Sequence, residues 1–142
     1  MPMIDVYIPN DLLPAGSDGR LGHELTAAVL RAEGVNSPTE YHLNNTAAFI
    51  HRLPGSAVHT AATESAKSVR VQVLTPPAAL NREGQKSLVA DVTGIVASIC
   101  GDPSLAQRTW VLLTEAAEGG WGIAGTAFGR EEFAAALARS KS

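Results

Sequence analysis

The sequence predicts an α/β (α+β) fold built from two β-α-β units in tandem. An apolar, β-prone run opens the chain at Met3 to Ile8, and a period-two run, Val69-Arg70-Val71-Gln72-Val73-Leu74, repeats that opening about 65 residues later. Each run leads into a stretch with helical periodicity and then into a further short β-prone run. Parallel strands joined through a helix call for a right-handed crossover, so each unit has one expected hand.

The elements follow in order. Pro2 stands at the start of the first strand, where a residue without an N–H is tolerated. Asn10 to Gly19 is rich in turn formers, with Asp11, Pro14, Gly16, Ser17 and Asp18. From Asp18, Leu21, Leu25, Ala28, Val29 and Ala32 recur at helical spacing until Gly34. The segment from there to Asn45 is expected to be mostly loop. Ala47 to Leu53, closed by Pro54-Gly55, reads as a short strand. After the Val69 strand, Pro76-Pro77 breaks the chain, and a long helix from about Asn81 carries a stripe of Leu88, Val92, Ile95, Val96 and Ile99 up to Gly101-Asp102-Pro103. Thr109 to Thr114 is the last strand of the second unit. The glycine-rich tail, Glu115 to Gly129, suggests short ribbon strands, and a final alanine-rich helix, 131–139, is expected to pack weakly or fray. The expected domain is 1–142, with units of 1–65 and 66–129 and this tail helix.

Composition excludes several functions. With 142 residues, 45% of them hydrophobic, the chain is long enough for one domain with a core. Eleven basic against 14 acidic side chains give a net charge of −3 with no basic run, so no nucleic-acid partner is expected. No apolar run approaches membrane-spanning length, and no leader pattern opens the chain, so no membrane association is expected. The single cysteine, Cys100, falls on an apolar helical position and cannot form an internal disulfide, which suits a reducing cytoplasm. His23, His42 and His59 lack metal-ligand spacing, and no phosphate loop, dinucleotide fingerprint or G-x-S-x-G motif is present, so neither metal nor cofactor is expected. Glu115 and Glu118 read as solvated loop charges.

Pro2 carries the chemistry. Removal of Met1 uncovers a secondary amine, and an amine held in an apolar pocket beside a cation is pushed towards its neutral, basic form by desolvation and by like charge. With Met1 in place, Pro2 is internal and has no free amine. Arg82 opens the second long helix, where a cation opposes the macrodipole but a guanidinium beside free N–H groups grips a carboxylate.

Pro2 opening the first strand, the repeated β-α-β unit, Asn81-Arg82-Glu83-Gly84-Gln85-Lys86 and Trp110-Val111 before a glycine-rich tail with Trp121 together resemble the tautomerase superfamily. The likeness is to its longer members, the malonate semialdehyde decarboxylase and cis-3-chloroacrylic acid dehalogenase types. It implies a four-stranded mixed sheet with two helices on one face and a homotrimer with sites near subunit boundaries. It also implies Pro2 and Arg82 as catalytic residues acting on a small carboxylate substrate. His51 matches a histidine of the decarboxylase type, and Asn45 stands nearest to that type's aspartate, so both are substrate-binding candidates, as is Trp121 as a pocket wall. The chain departs from those relatives where Gln85 and Leu80 replace arginines and where Leu112 and Ile123-Ala124 replace the tyrosine and glutamate that activate water. These departures favour a cofactor-independent tautomerase of a 2-keto acid or dienol. A hydratase, dehalogenase or decarboxylase on the same scaffold, and a non-catalytic trimeric binding protein, are the alternatives.

Overall fold

The computed structural model describes residues 1–140; residues 141 and 142 of the expected 1–142 domain lie outside the described residues. The elements run β1 (Met3–Pro9), α1 (Asp18–Ala32), α2 (Glu40–Asn44), β2 (Ala47–Leu53), β3 (Val69–Thr75), α3 (Arg82–Cys100), β4 (Thr109–Glu115), β5 (Trp121–Ile123), β6 (Thr126–Phe128) and α4 (Arg130–Ser140). Four strands form one sheet in the order β2-β1-β3-β4. β1 pairs parallel with β2 and β3 parallel with β4, while β1 and β3 run antiparallel at the centre. The sheet is therefore mixed, with each β-α-β unit supplying one inner and one edge strand.

Alternation sorts the two faces of this sheet. Ile4, Val6 and Ile8 of β1 and Val69, Val71 and Val73 of β3 are fully buried on one face, packed with the apolar stripes of α1 and α3. Burying each such side chain contributes roughly 1.5–3 kcal/mol, which makes this layer the main source of stability. The other face carries Asp5, Tyr7, Phe49, His51, Arg70, Gln72, Trp110 and Leu112, and it lies on the side away from α1 and α3. Phe49 is 53% exposed and Trp110 50%.

The two helices meet closely at one glycine. A Cβ on Gly84 would lie 2.6 Å from the Ala32 carbonyl oxygen, so only glycine lets the first turn of α3 approach the end of α1. Asn81 fixes where that turn begins, its Oδ1 accepting the Gly84 N–H at 2.8 Å. At the far end of α3, Gly101 takes a left-handed conformation (φ 66°) and its N–H bonds the Ser98 carbonyl.

Two elements differ from expectation. The segment after Gly34 contains α2, entered through a reciprocal cap in which the Thr39 N–H donates to His42 Nδ1 at 3.1 Å. A histidine stands where that motif usually has Glu or Gln, so the sequence pattern conceals it. The last helix is not loose. Phe133 meets Phe128 edge-on at 5.2 Å and tilts against Trp121 at 6.5 Å, and with the buried Ala136 these rings form a second small core. The β5–β6 hairpin that presents them turns through Ala124 (φ 51°) and Gly125 (φ 80°), the positive-φ pair a tight two-residue turn requires. Among the described residues no helix is long and apolar enough to cross a membrane.

Candidate active site

The chain start lies where the two units meet. The antiparallel register sets Met3 opposite Leu74, and the parallel register sets it opposite Ala47, so residues 1 and 2 enter between the end of β3 and the beginning of β2. Pro2 is buried, and its carbonyl accepts the Ala47 N–H at 3.2 Å. Met1, rather than Pro2, lines a cavity of about 410 Å³ whose wall also includes Glu33, His42, Pro77, Arg130 and Phe133. Four elements or their junctions thus converge on the chain start: the end of α1, α2, the loop after β3 and the first turns of α4.

Met1 is present and its nitrogen is the free amine, so Pro2 is an internal amide here. The Met1 amine lies 3.3 Å from Glu33 Oε1, with side chains 4% and 6% exposed. Burial pushes the amine below its ordinary value of 8.0, and the Glu33 charge and hydrogen bond pull it back up. Burial likewise pushes the Glu33 carboxyl above its ordinary 4.5, against the pull of the amine. The desolvated amine here is that of Met1, whereas the sequence pointed to a Pro2 amine beside a cation. The charge beside it is a carboxylate.

Sequence reasoning missed Glu33, although a signal was available. It is the C-terminal capping residue of α1, followed by Gly34 at φ 82°. A carboxylate at a helix's negative end opposes the macrodipole just as Arg82 does at a positive end, and such a misfit marks a residue held for another reason.

The residues named from sequence are distributed around the fold. Arg82 opens α3 three residues past Ala79, which lines the cavity, but it lines a separate cleft with Gln85, Lys86, Val89, Val111 and Leu113. Its Nη1 lies 3.4 Å from Gln85 Oε1. The cation on the cavity itself is Arg130, whose Nε lies 4.0 Å from Glu118. His51 sits on the uncovered sheet face, with Nε2 2.8 Å from Asp5 Oδ1 and its ring stacked on Tyr7 at 4.4 Å. Arg70 lies over the same Tyr7 ring at 4.5 Å. Asn45 Nδ2 donates to the Tyr41 carbonyl at 2.9 Å and closes α2, whose His42 reaches the cavity. Trp121 is buried behind Phe133 rather than on the cavity wall.

The two tail glutamates do more than carry loop charge. Glu115 Oε1 accepts the N–H of Ala78, a cavity residue in left-handed conformation (φ 59°), and so holds the Pro76–Ala79 wall in shape. Glu118 Oε1 accepts the Arg130 N–H at 2.7 Å and anchors the start of α4. Among the described residues no group of His, Cys, Asp and Glu side chains is arranged to hold a metal ion.

No known family model matches the sequence, and no curated protein matches it. Solved structures do resemble the fold. A fused 4-OT, a symmetric trimer, superposes with a TM-score of 0.73 at 18% identity, covering 87% of this chain and 93% of its own. Pt0534 inactivated by 2-oxo-3-pentynoate gives 0.70 at 19% identity, covering 92% and 96%. N1, a member of the cis-3-chloroacrylic acid dehalogenase family, gives 0.70 at 16% identity, covering 93% and 88%.

Proposed function

From the tautomerase-superfamily fold that this chain carries, we propose a cofactor-independent tautomerase that interconverts the keto and enol forms of a small 2-keto acid or dienol. The observation that carries this reading is the burial of the chain start on the wall of a cavity. Once Met1 is removed, the Pro2 nitrogen becomes a secondary amine, about 3.6 Å at most from the present Met1 nitrogen. The surroundings that depress the Met1 amine act on it too, leaving a share of neutral base near neutral pH. That base takes a proton from the carbon beside the carbonyl and returns one in the reverse direction.

In this reading Arg82, whose own cleft begins three residues past the cavity's Ala79, receives the substrate carboxylate. Arg130 stands on the cavity, but Glu118 is beside it and Glu131 and Glu132 follow it, which cancels much of its field. Arg82 faces Gln85, while its neighbour Glu83 reaches towards Lys86 at 3.8 Å. The supporting roles of the remaining candidates are geometric. Asn45 closes the helix that presents His42, Trp121 backs Phe133, and His51 orders the uncovered sheet face.

Three copies packing those uncovered faces together would make a homotrimer and remove Phe49 and Trp110 from water, as an apolar patch of this kind requires. A cytoplasmic setting accords with the lone free thiol of Cys100. Glu33 favours one second reading, a hydratase, dehalogenase or decarboxylase, because a buried carboxylate can also orient water; products from 3-haloacrylates and malonate semialdehyde would reveal it. Intact mass combined with an ultraviolet assay on phenylpyruvate tests the lead reading. The native protein should lack Met1, and Pro2→Ala should lose about 100-fold in kcat or more. Equal rates for the two proteins, or quantitative retention of Met1 in cells, discards it in favour of a non-catalytic trimer.

A further inference from the structure

We propose that Glu33 is the second proton-transfer residue of this site: its carboxyl protonates the carbonyl oxygen of a 2-keto acid while the Pro2 amine deprotonates the adjacent carbon. The inference rests on the tautomerase reading above and names a residue for the other half of the same reaction.

The geometry starts from Met1. Its amine touches Glu33 at 3.3 Å, and covalent geometry places the Pro2 nitrogen about 3.6 Å at most further back along the chain. Removing Met1 therefore leaves the Pro2 amine and the Glu33 carboxyl within about 7 Å of each other, with the methionine's former space between them. A base and an acid acting on neighbouring atoms of one substrate need that order of separation, each within hydrogen-bond reach of its own atom. The same removal takes away the cation that Glu33 faces. Burial holds its carboxyl above the ordinary range despite that cation, and the Pro2 amine, up to about 7 Å away, pulls on it less than an amine in contact does.

The proton inventory closes. In the keto-to-enol direction the substrate's C–H bond breaks and the proton joins the Pro2 nitrogen, while the Glu33 O–H bond breaks and its proton joins the carbonyl oxygen. The substrate leaves as an isomer, and the ammonium and carboxylate that remain are restored when the proton passes back from nitrogen to Glu33. No oxidant, reductant or co-reactant is consumed. The other titratable or charged groups on the cavity are His42 from α2 and Arg130 from α4; the Pro76–Ala79 loop brings none.

The test uses methionine-processed protein and phenylpyruvate, comparing native protein, Pro2→Ala, Glu33→Gln and Glu33→Asp. Glu33→Gln should lower kcat by about 100-fold with KM changed less than about threefold, and should erase the descending limb of the kcat–pH profile. Glu33→Asp should keep that limb at an intermediate rate. A readout independent of turnover is the pH dependence of acylation of the chain-start amine. Above the pH at which Glu33 ionises its carboxylate favours the ammonium, so the native titration should be broadened on its alkaline side, and in Glu33→Gln that broadening should be absent. Native kcat, pH profile and amine titration in Glu33→Gln, alongside an inactive Pro2→Ala, overturn the role of Glu33 and leave the tautomerase reading standing. Equal rates for native protein and Pro2→Ala overturn the reading beneath it, and Glu33's role falls with that. Should Glu33→Gln not fold, a native rate and profile in Glu33→Asp overturn the inference.

Discussion

The Met1 amine and the Glu33 carboxylate meet 3.3 Å apart while both are nearly removed from water. In the chain that keeps its methionine, this pair makes stability depend on pH in two opposed ways. Glu33 titrates above its unfolded value of 4.5, so its contribution is fully present below 4.5 and is lost as pH rises through its folded value. The amine titrates below its unfolded value of 8.0, so its contribution is present above 8.0 and is lost as pH falls through its folded value. Melting temperature of Met1-retaining protein should therefore fall on leaving pH 4.5 upwards and recover as pH 8.0 is approached. In Glu33→Gln the fall should disappear while the recovery persists.

Gly84→Ala should destabilise the protein by roughly 1–3 kcal/mol, because the added methyl would sit 2.6 Å from the Ala32 carbonyl and force α1 and α3 apart. Urea unfolding measures it. A neutral result would mean that the helices yield at no cost, and that Glu33, one residue beyond Ala32, is not held by this contact.

Arg82→Ala should raise KM for a 2-keto acid about tenfold, the scale of one lost charge-assisted pair, with kcat within about threefold. Arg130→Ala should move KM by less than about threefold, since Glu118 already engages that guanidinium. The reverse ranking would transfer the carboxylate to Arg130.

Trp110→Glu should convert the proposed trimer to monomer in light scattering after gel filtration, because that assembly would bury an unpaired charge on the uncovered sheet face. The wild-type ring is 50% exposed in the single chain, so the monomer's fold should survive the change and its circular dichroism should be unaltered. An unchanged mass would place the oligomer contact elsewhere.

Most of the frame was legible because its elements carry strong periodicity. Ala47–Leu53 has the bounds expected from sequence, and β1, β3, β4, α1 and α3 lie within about a residue or two of theirs. α2 was missed because its cap uses His42, and the packing of α4 was underestimated because Phe133 finds Trp121 and Phe128 only through a hairpin distant in the chain from the main core. Of the proposed site, Pro2 stands out in the sequence by position, whereas Glu33 looks like one acidic residue among others at the end of a helix.

Local periodicity and turn chemistry by themselves determined the two β-α-β units, their helical stripes and the strand faces, since each depends on residues a few positions apart. Only the tertiary structure decided what surrounds the chain start. The antiparallel pairing of β1 with β3 carries residues 1 and 2 to the loop after β3, and the close approach at Gly84 fixes the end of α1 against the first turn of α3. Those long-range contacts remove the amine and Glu33 from water together, and it is that shared burial, invisible in any short window of sequence, that sets the protonation of both.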